Sequence, residues 1–181
     1  MKKKYELTEE TKTLANGTVL RRIRAVSDLT LSGVKIVRAG DLGGWIERED
    51  NLSHCGEAWV CDNALVYDKA RVCDNALVYD KARVYDKAMV FGNAMVCGEA
   101  LVKDYHDYAV YKNTWSSGRW FTYTRSDKMW AVGCFRGTGD ELVEKAYKDS
   151  KLSGQCYEAI VRAQDAIDKA NALCLPKEAA R

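Results

Sequence analysis

Through its middle the chain keeps a six-residue beat. Alanine stands at 58, 64, 70, 76, 82, 88, 94 and 100, and valine two residues after each, from Val60 to Val102. A helix repeats its apolar positions about every 3.6 residues, so a period of six excludes an amphipathic helix. Within each unit Ala-x-Val alternates as a strand does, with both residues on one face. Asp-Asn, Asp-Lys or Gly-Asn follows, and such residues form turns. Each hexad therefore reads as a short strand plus a corner. The stretch 61–72, CDNALVYDKARV, recurs letter for letter at 73–84. Twelve residues are two hexads, so the copy keeps every alanine and valine facing inward. A length off the six-residue lattice would turn them out.

Val60-Cys61-Asp62-Asn63-Ala64 places an aliphatic residue four positions before a small one, and its successors do the same. In this the chain resembles the hexapeptide repeat of left-handed parallel β-helices, over residues 58–103. The resemblance implies a triangular coil of three hexads, with side chains 18 positions apart stacked on one another. Outward residues then sort into three faces. Trp59, Leu77 and Met95 share the first, beside Cys61, Tyr79 and Cys97. Leu65, Arg83 and Leu101 share the second, beside Tyr67, Tyr85 and Lys103. Arg71 and Met89 share the third, beside Cys73 and Phe91. The strands of the first face carry no charge and are too apolar to be left wet. That face is expected to lie under the C-terminal segment, to form the seam of a dimer or trimer through Trp59, Leu77, Tyr79 and Met95, or to take a foreign partner.

Ahead of the repeat, residues 5–37 read as antiparallel β. Asn16-Gly17 is a hairpin signal between strands at 11–15 and 18–26. Gly40-Asp41-Leu42-Gly43-Gly44-Trp45-Ile46-Glu47 follows, with Trp45 and Ile46 expected to plug the first coil. This stretch looks like the segment that precedes such repeats in uncharacterised proteins of gut bacteria and their phages. Beyond Val102 the lattice fails. Residues 120–124 and 129–135 alternate as two strands around Arg125-Ser126-Asp127-Lys128. Thr138 and Glu141 stand at capping-box spacing, so a helix is expected to about Ser150. Leu152-Ser153-Gly154 reads as a break before a second helix at 155–174, with an inward stripe of Tyr157, Ile160, Val161, Gln164, Ile167 and Cys174 or Leu175. This segment resembles small prophage-associated modules with a Trp-rich hairpin and a GTGDEL helix start. The expected fold is mainly β with C-terminal α. Residues 1–57 form a β hairpin and cap, 58–103 a short left-handed parallel β-helix, and 104–181 a β-hairpin and two-helix module.

Charge changes the picture locally. The net charge is only +2, which argues against wholesale nucleic-acid binding. Residues 1–40 nevertheless hold nine Lys and Arg against four Asp and Glu. Arg21, Arg22 and Arg24 lie on one strand, an arrangement that suits phosphate or an acidic partner. No stretch of about 18 apolar residues predicts a membrane span. The basic start leads into Glu6, Thr8 and Glu9 rather than into an apolar signal core. Seven cysteines form no CxxC pair and read as reduced thiols of a bacterial cytoplasm.

Candidate chemistry is sparse. Hexapeptide-repeat acyltransferases use a histidine base and an acyl-coenzyme A donor, and the chain holds only His54 and His106. A zinc site of the γ-carbonic anhydrase kind needs three histidines. Asp62 above Asp80, and Asp68 above Asp86, are read as solvated corner residues rather than metal ligands. No catalytic residue, cofactor or metal is therefore assigned. The expected function is that of a non-catalytic binding protein of a phage or mobile element. The concrete expectation is a stoichiometric, anti-CRISPR-like inhibitor of a bacterial defence complex. Its binding residues would be Arg21, Arg22, Arg24, Trp120, Tyr123 and Arg125, with the basic strand free to touch nucleic acid. An acyltransferase and a phage structural or assembly protein stand as alternatives.

Overall fold

The structure is a computed structural model and describes residues 3–31 and 34–174. Five strands come first: β1 (Tyr5–Thr13), β2 (Val19–Ala25), β3 (Leu29–Leu31), β4 (Val34–Val37) and β5 (Leu42–Ile46). Eight two-residue strands follow on the hexad lattice: β6 (Trp59–Val60), β7 (Leu65–Val66), β8 (Arg71–Val72), β9 (Leu77–Val78), β10 (Arg83–Val84), β11 (Met89–Val90), β12 (Met95–Val96) and β13 (Leu101–Val102). The chain ends in β14 (Tyr108–Lys112), β15 (Trp120–Thr124), β16 (Met129–Val132), β17 (Phe135–Gly137), α1 (Gly139–Asp149) and α2 (Lys151–Cys174). It is mainly β, with a β-solenoid in the middle and helices at the C-terminus.

The faces fall where an 18-residue stack puts them. Strand β9 lies between β6 and β12, β10 lies between β7 and β13, and β8 pairs with β11, all in parallel. The coils are joined by main-chain bonds such as Trp59 N–H to the Ala76 carbonyl at 3.0 Å and Cys61 N–H to that of Val78 at 2.8 Å. Every lattice alanine and valine is fully buried in one core. Corners turn through a left-handed residue, with φ between 54° and 59° at Asp62, Asp68, Asp74, Asp80 and Asp86. Asp tolerates this conformation because its short side chain bonds locally. Here the carboxylates bond down the stack: Gly92 N–H donates to Asp74 and Gly98 N–H to Asp80, both at 3.0 Å. Gly92 and Gly98 take over the corner in the last full coil, at φ 67° and 69°.

The parallel ladder runs one coil further towards the N-terminus than the hexads do. Trp45 and Ile46 pair in parallel with Leu65 and Val66, and Leu52 bridges Val72. Gly44-Trp45-Ile46 is thus an Ala-x-Val unit with glycine in the alanine place. A Cβ on Gly44 would meet the Ala64 carbonyl and Val60 Cγ1, each at 2.7 Å. Ile46 is fully buried in the core, whereas Trp45 points outward onto Leu20, Leu65 and Tyr67. On the other side β5 pairs antiparallel with β2, which pairs with β1 around the Asn16-Gly17 turn.

The C-terminal sheet, in order β14-β15-β16-β17, closes the other end. The last coil has no successor, and side chains take its place. Thr122 Oγ1 accepts from Met95 N–H at 2.8 Å, and Ser126 Oγ from Leu101 N–H at 2.7 Å. Tyr108 OH donates to the Met89 carbonyl at 2.7 Å. The capping box of α1 forms as its spacing predicts. Three expectations differ. The strand read at 129–135 turns at Gly133, φ 57°, into β16 and β17. The break read at Leu152-Ser153-Gly154 lies inside α2, because Gly154 is a contact glycine: a Cβ there would meet Tyr147 Cδ1 at 2.2 Å. Within α2, Tyr157, Val161 and Gln164 face inward as read, but Ile167 is exposed and Asp168 takes its place against the sheet. The expectation at Leu175 and for the Cys174 side chain lies outside the described residues.

Candidate interaction surface

The arginine strand is largely committed within the chain. Arg22 donates through Nε to the Gly43 carbonyl at 3.1 Å, pairs with Glu10 at 3.3 Å and lies 5.5 Å from the Trp45 ring centre. Arg24 pairs with Glu6 at 3.5 Å. Arg21 is exposed, and the ion pairs found among the described residues on this strand are those of Arg22 and Arg24. Sequence composition counts these arginines, but cross-strand partners on β1 are visible only once the register is known.

The C-terminal candidates sit at the opposite end of the molecule. From β2 to β13 there are four strand steps, about 19 Å at the usual spacing. Tyr123 is buried, and its hydroxyl bonds the Asp168 carboxylate. Burial and that neighbouring carboxylate push the Tyr123 hydroxyl well above the ordinary phenol range. Arg125 Nε bonds the same carboxylate at 3.1 Å, and Gln164 Nε2 does so at 2.8 Å. These groups dock α2 on the sheet. Trp120 keeps 38% exposure, with Lys112 Nζ 5.3 Å from its ring centre. The structure therefore does not gather the two arginine- and aromatic-bearing sets into one patch.

The first face is partly closed within one chain. Trp59 is 1% exposed and meets the Tyr5 ring edge-on at 6.3 Å. Leu77, Tyr79 and Met95 are half-buried. The Arg136 guanidinium packs across Gly98, held by Asp127 at 3.1 Å.

Both histidines make local contacts. His54 stacks on Tyr5 at 4.3 Å and accepts from Lys4 N–H at 3.3 Å. Burial lowers its pKa. The His106 ring lies tilted against that of Tyr105, 3.8 Å between centres, and bonds Asp104 at 3.1 Å. Lys4 is buried beneath the first regular coil, its ammonium 2.7 Å from the Ala58 carbonyl. That desolvation brings its pKa down to about 8. Among the described residues no three His, Cys, Asp or Glu side chains converge as metal ligands, and six cysteines are free thiols. No helix is long and apolar enough to cross a membrane.

The third face is different. Met89 is 47% exposed and Phe91 51% exposed, and Arg71 stands exposed one coil above Met89. Above Arg71 lies a hollow edged by Arg48, Lys69, Asp50 and Asn51. A thioether, an aromatic ring and a guanidinium on flat β structure are the side-chain types that protein interfaces favour. The family model described as YdcK Beta solenoid repeat matches residues 70–86, which include Arg71 and the corner before Met89. A comparison with curated proteins found no match. The likeness is one of fold, and it covers about one coil of the solenoid.

Proposed function

We propose that the chain is a non-catalytic binding protein that docks a partner protein on its third solenoid face. The observation that carries this reading is the exposed Met89 and Phe91 pair beside Arg71. The solenoid behind it is held at both ends, so the face is rigid and little side-chain or loop ordering opposes binding. The favoured partner is a bacterial defence complex, with a CRISPR effector nuclease first among them. That choice rests on the resemblance of residues 40–47 and of the C-terminal segment to phage-associated proteins.

The test is a cleavage assay with purified effector nucleases and a stoichiometric amount of the chain. Inhibition by the wild type, lost in Met89→Asp/Phe91→Ser at unchanged thermal stability, supports the reading. Absence of inhibition across the effectors, or inhibition untouched by that double variant, overturns it.

A further inference from the structure

A cleft of about 430 Å³ opens in the C-terminal module, away from the face just described. Its floor is apolar: Val132, Leu142, Ala146 and the ring of Tyr157 are all nearly buried. Its rim is cationic. Arg119 lies across Gly133, its Nη1 3.9 Å from where a Cβ would stand, and Lys145 Nζ lies 5.4 Å from the Phe135 ring centre. Neither has a carboxylate partner within 4 Å among the described residues. Asp149 is the one acid in the lining.

The polar groups are biased towards donation. Guanidinium and ammonium groups carry donors and no acceptor. Asn113 is 2% exposed and fixes the loop above the floor. Its Oδ1 accepts from Trp115 N–H at 3.2 Å and Ser116 N–H at 2.9 Å. Its Nδ2 donates to Tyr157 OH at 3.3 Å. The Tyr157 hydroxyl thus serves as an acceptor, and its own proton has no acceptor among the described residues. That leaves a donor at the floor and two cations at the rim of an apolar hollow whose volume lies in the usual range for small-molecule sites, about 300–1,000 Å³.

We infer that this cleft binds a small amphipathic carboxylate, an aryl or alkyl acid. The apolar body covers Val132, Leu142 and Ala146, and the carboxylate meets Arg119 and Lys145. This site goes beyond the docking role and does not depend on it.

The probes are 4-phenylbutyrate and, as its charge-reversed control, 4-phenylbutylamine. Each is titrated into the full chain while backbone amide NMR shifts are followed. The acid should give saturable shifts at Gly133, Ala146 and Ser153. Partly exposed ion pairs contribute modestly, so Arg119→Glu/Lys145→Glu should weaken binding by about fivefold or more. Both positions are exposed, so the variant should keep the wild-type spectrum elsewhere. No saturable shift, an amine that binds as well as the acid, or unchanged affinity in the double variant overturns the inference.

Discussion

At each corner of the solenoid the chain turns through one left-handed residue, and aspartate fills that place five times in succession. Two demands meet there. The residue must tolerate positive φ, which costs most L-residues about 1–2 kcal/mol. It must also offer an acceptor to the corner N–H one coil below, as Asp74 does to Gly92 at 3.0 Å. Asparagine meets both demands and valine meets neither. Asp74→Asn is therefore expected to stay within about 0.5 kcal/mol of wild type, the usual range for a neutral surface change. Asp74→Val is expected to lose about 1–2 kcal/mol, measured by urea unfolding. Equal stability of the two variants would show that corner geometry is not what selects aspartate.

At the scale of elements, the last coil shows how a solenoid ends. Its strands present N–H groups that would otherwise meet a next coil, and such open edges invite pairing with other chains. Thr122 and Ser126 each satisfy one of them. The two caps differ in burial: Thr122 is 1% exposed and Ser126 is exposed. Thr122→Val keeps the shape and strands the Met95 N–H away from water, at a cost of about 1–3 kcal/mol. Ser126→Ala lets water replace the hydroxyl and should cost less than about 0.5 kcal/mol. Thermal unfolding of the two variants checks the contrast, and equal losses would contradict it. The hexad strands were legible in the sequence because two side-chain types recur at fixed places. From sequence the strand Leu42–Ile46 reads as a plug, because glycine replaces alanine and the pairing to Val66 spans 20 residues rather than 18. Strand β14 is not legible in the sequence because its pattern, Tyr108 to Lys112, has no clear polar alternation and its strandhood comes from β15. The start of α2 lies earlier than the sequence suggests because Gly154 reads as a breaker, when it is a place where Tyr147 of α1 comes close. The third-face surface was visible as a column of residues. Its exposure was not, since that depends on which faces the flanking segments cover.

For the whole molecule, the hexad lattice separates what the core requires from what the surface requires. Removing residues 67–84 deletes one full coil of 18, so every remaining valine faces inward. The C-terminal sheet also keeps its azimuth relative to β1 and β2. Removing residues 73–84, the duplicated dozen, likewise preserves the core but turns the two ends by two faces. Met89 then stacks beneath Trp59 instead of beneath Arg71. Removing ten residues, 67–76, breaks the lattice and turns inward side chains outward. The first two deletions are expected to unfold cooperatively with β-type circular dichroism, and the third is not expected to fold. If the ten-residue deletion folded as well as the others, the six-residue register would not govern the core. Partner binding separates the first two. The coil deletion removes Arg71 but leaves the apolar pair, Met89 and Phe91, on the face it occupies now, while the dozen deletion moves that pair onto the column of Trp59, which packs against Tyr5. A partner that docks on the third face should therefore bind the first better than the second, although the second is closer to wild type in length.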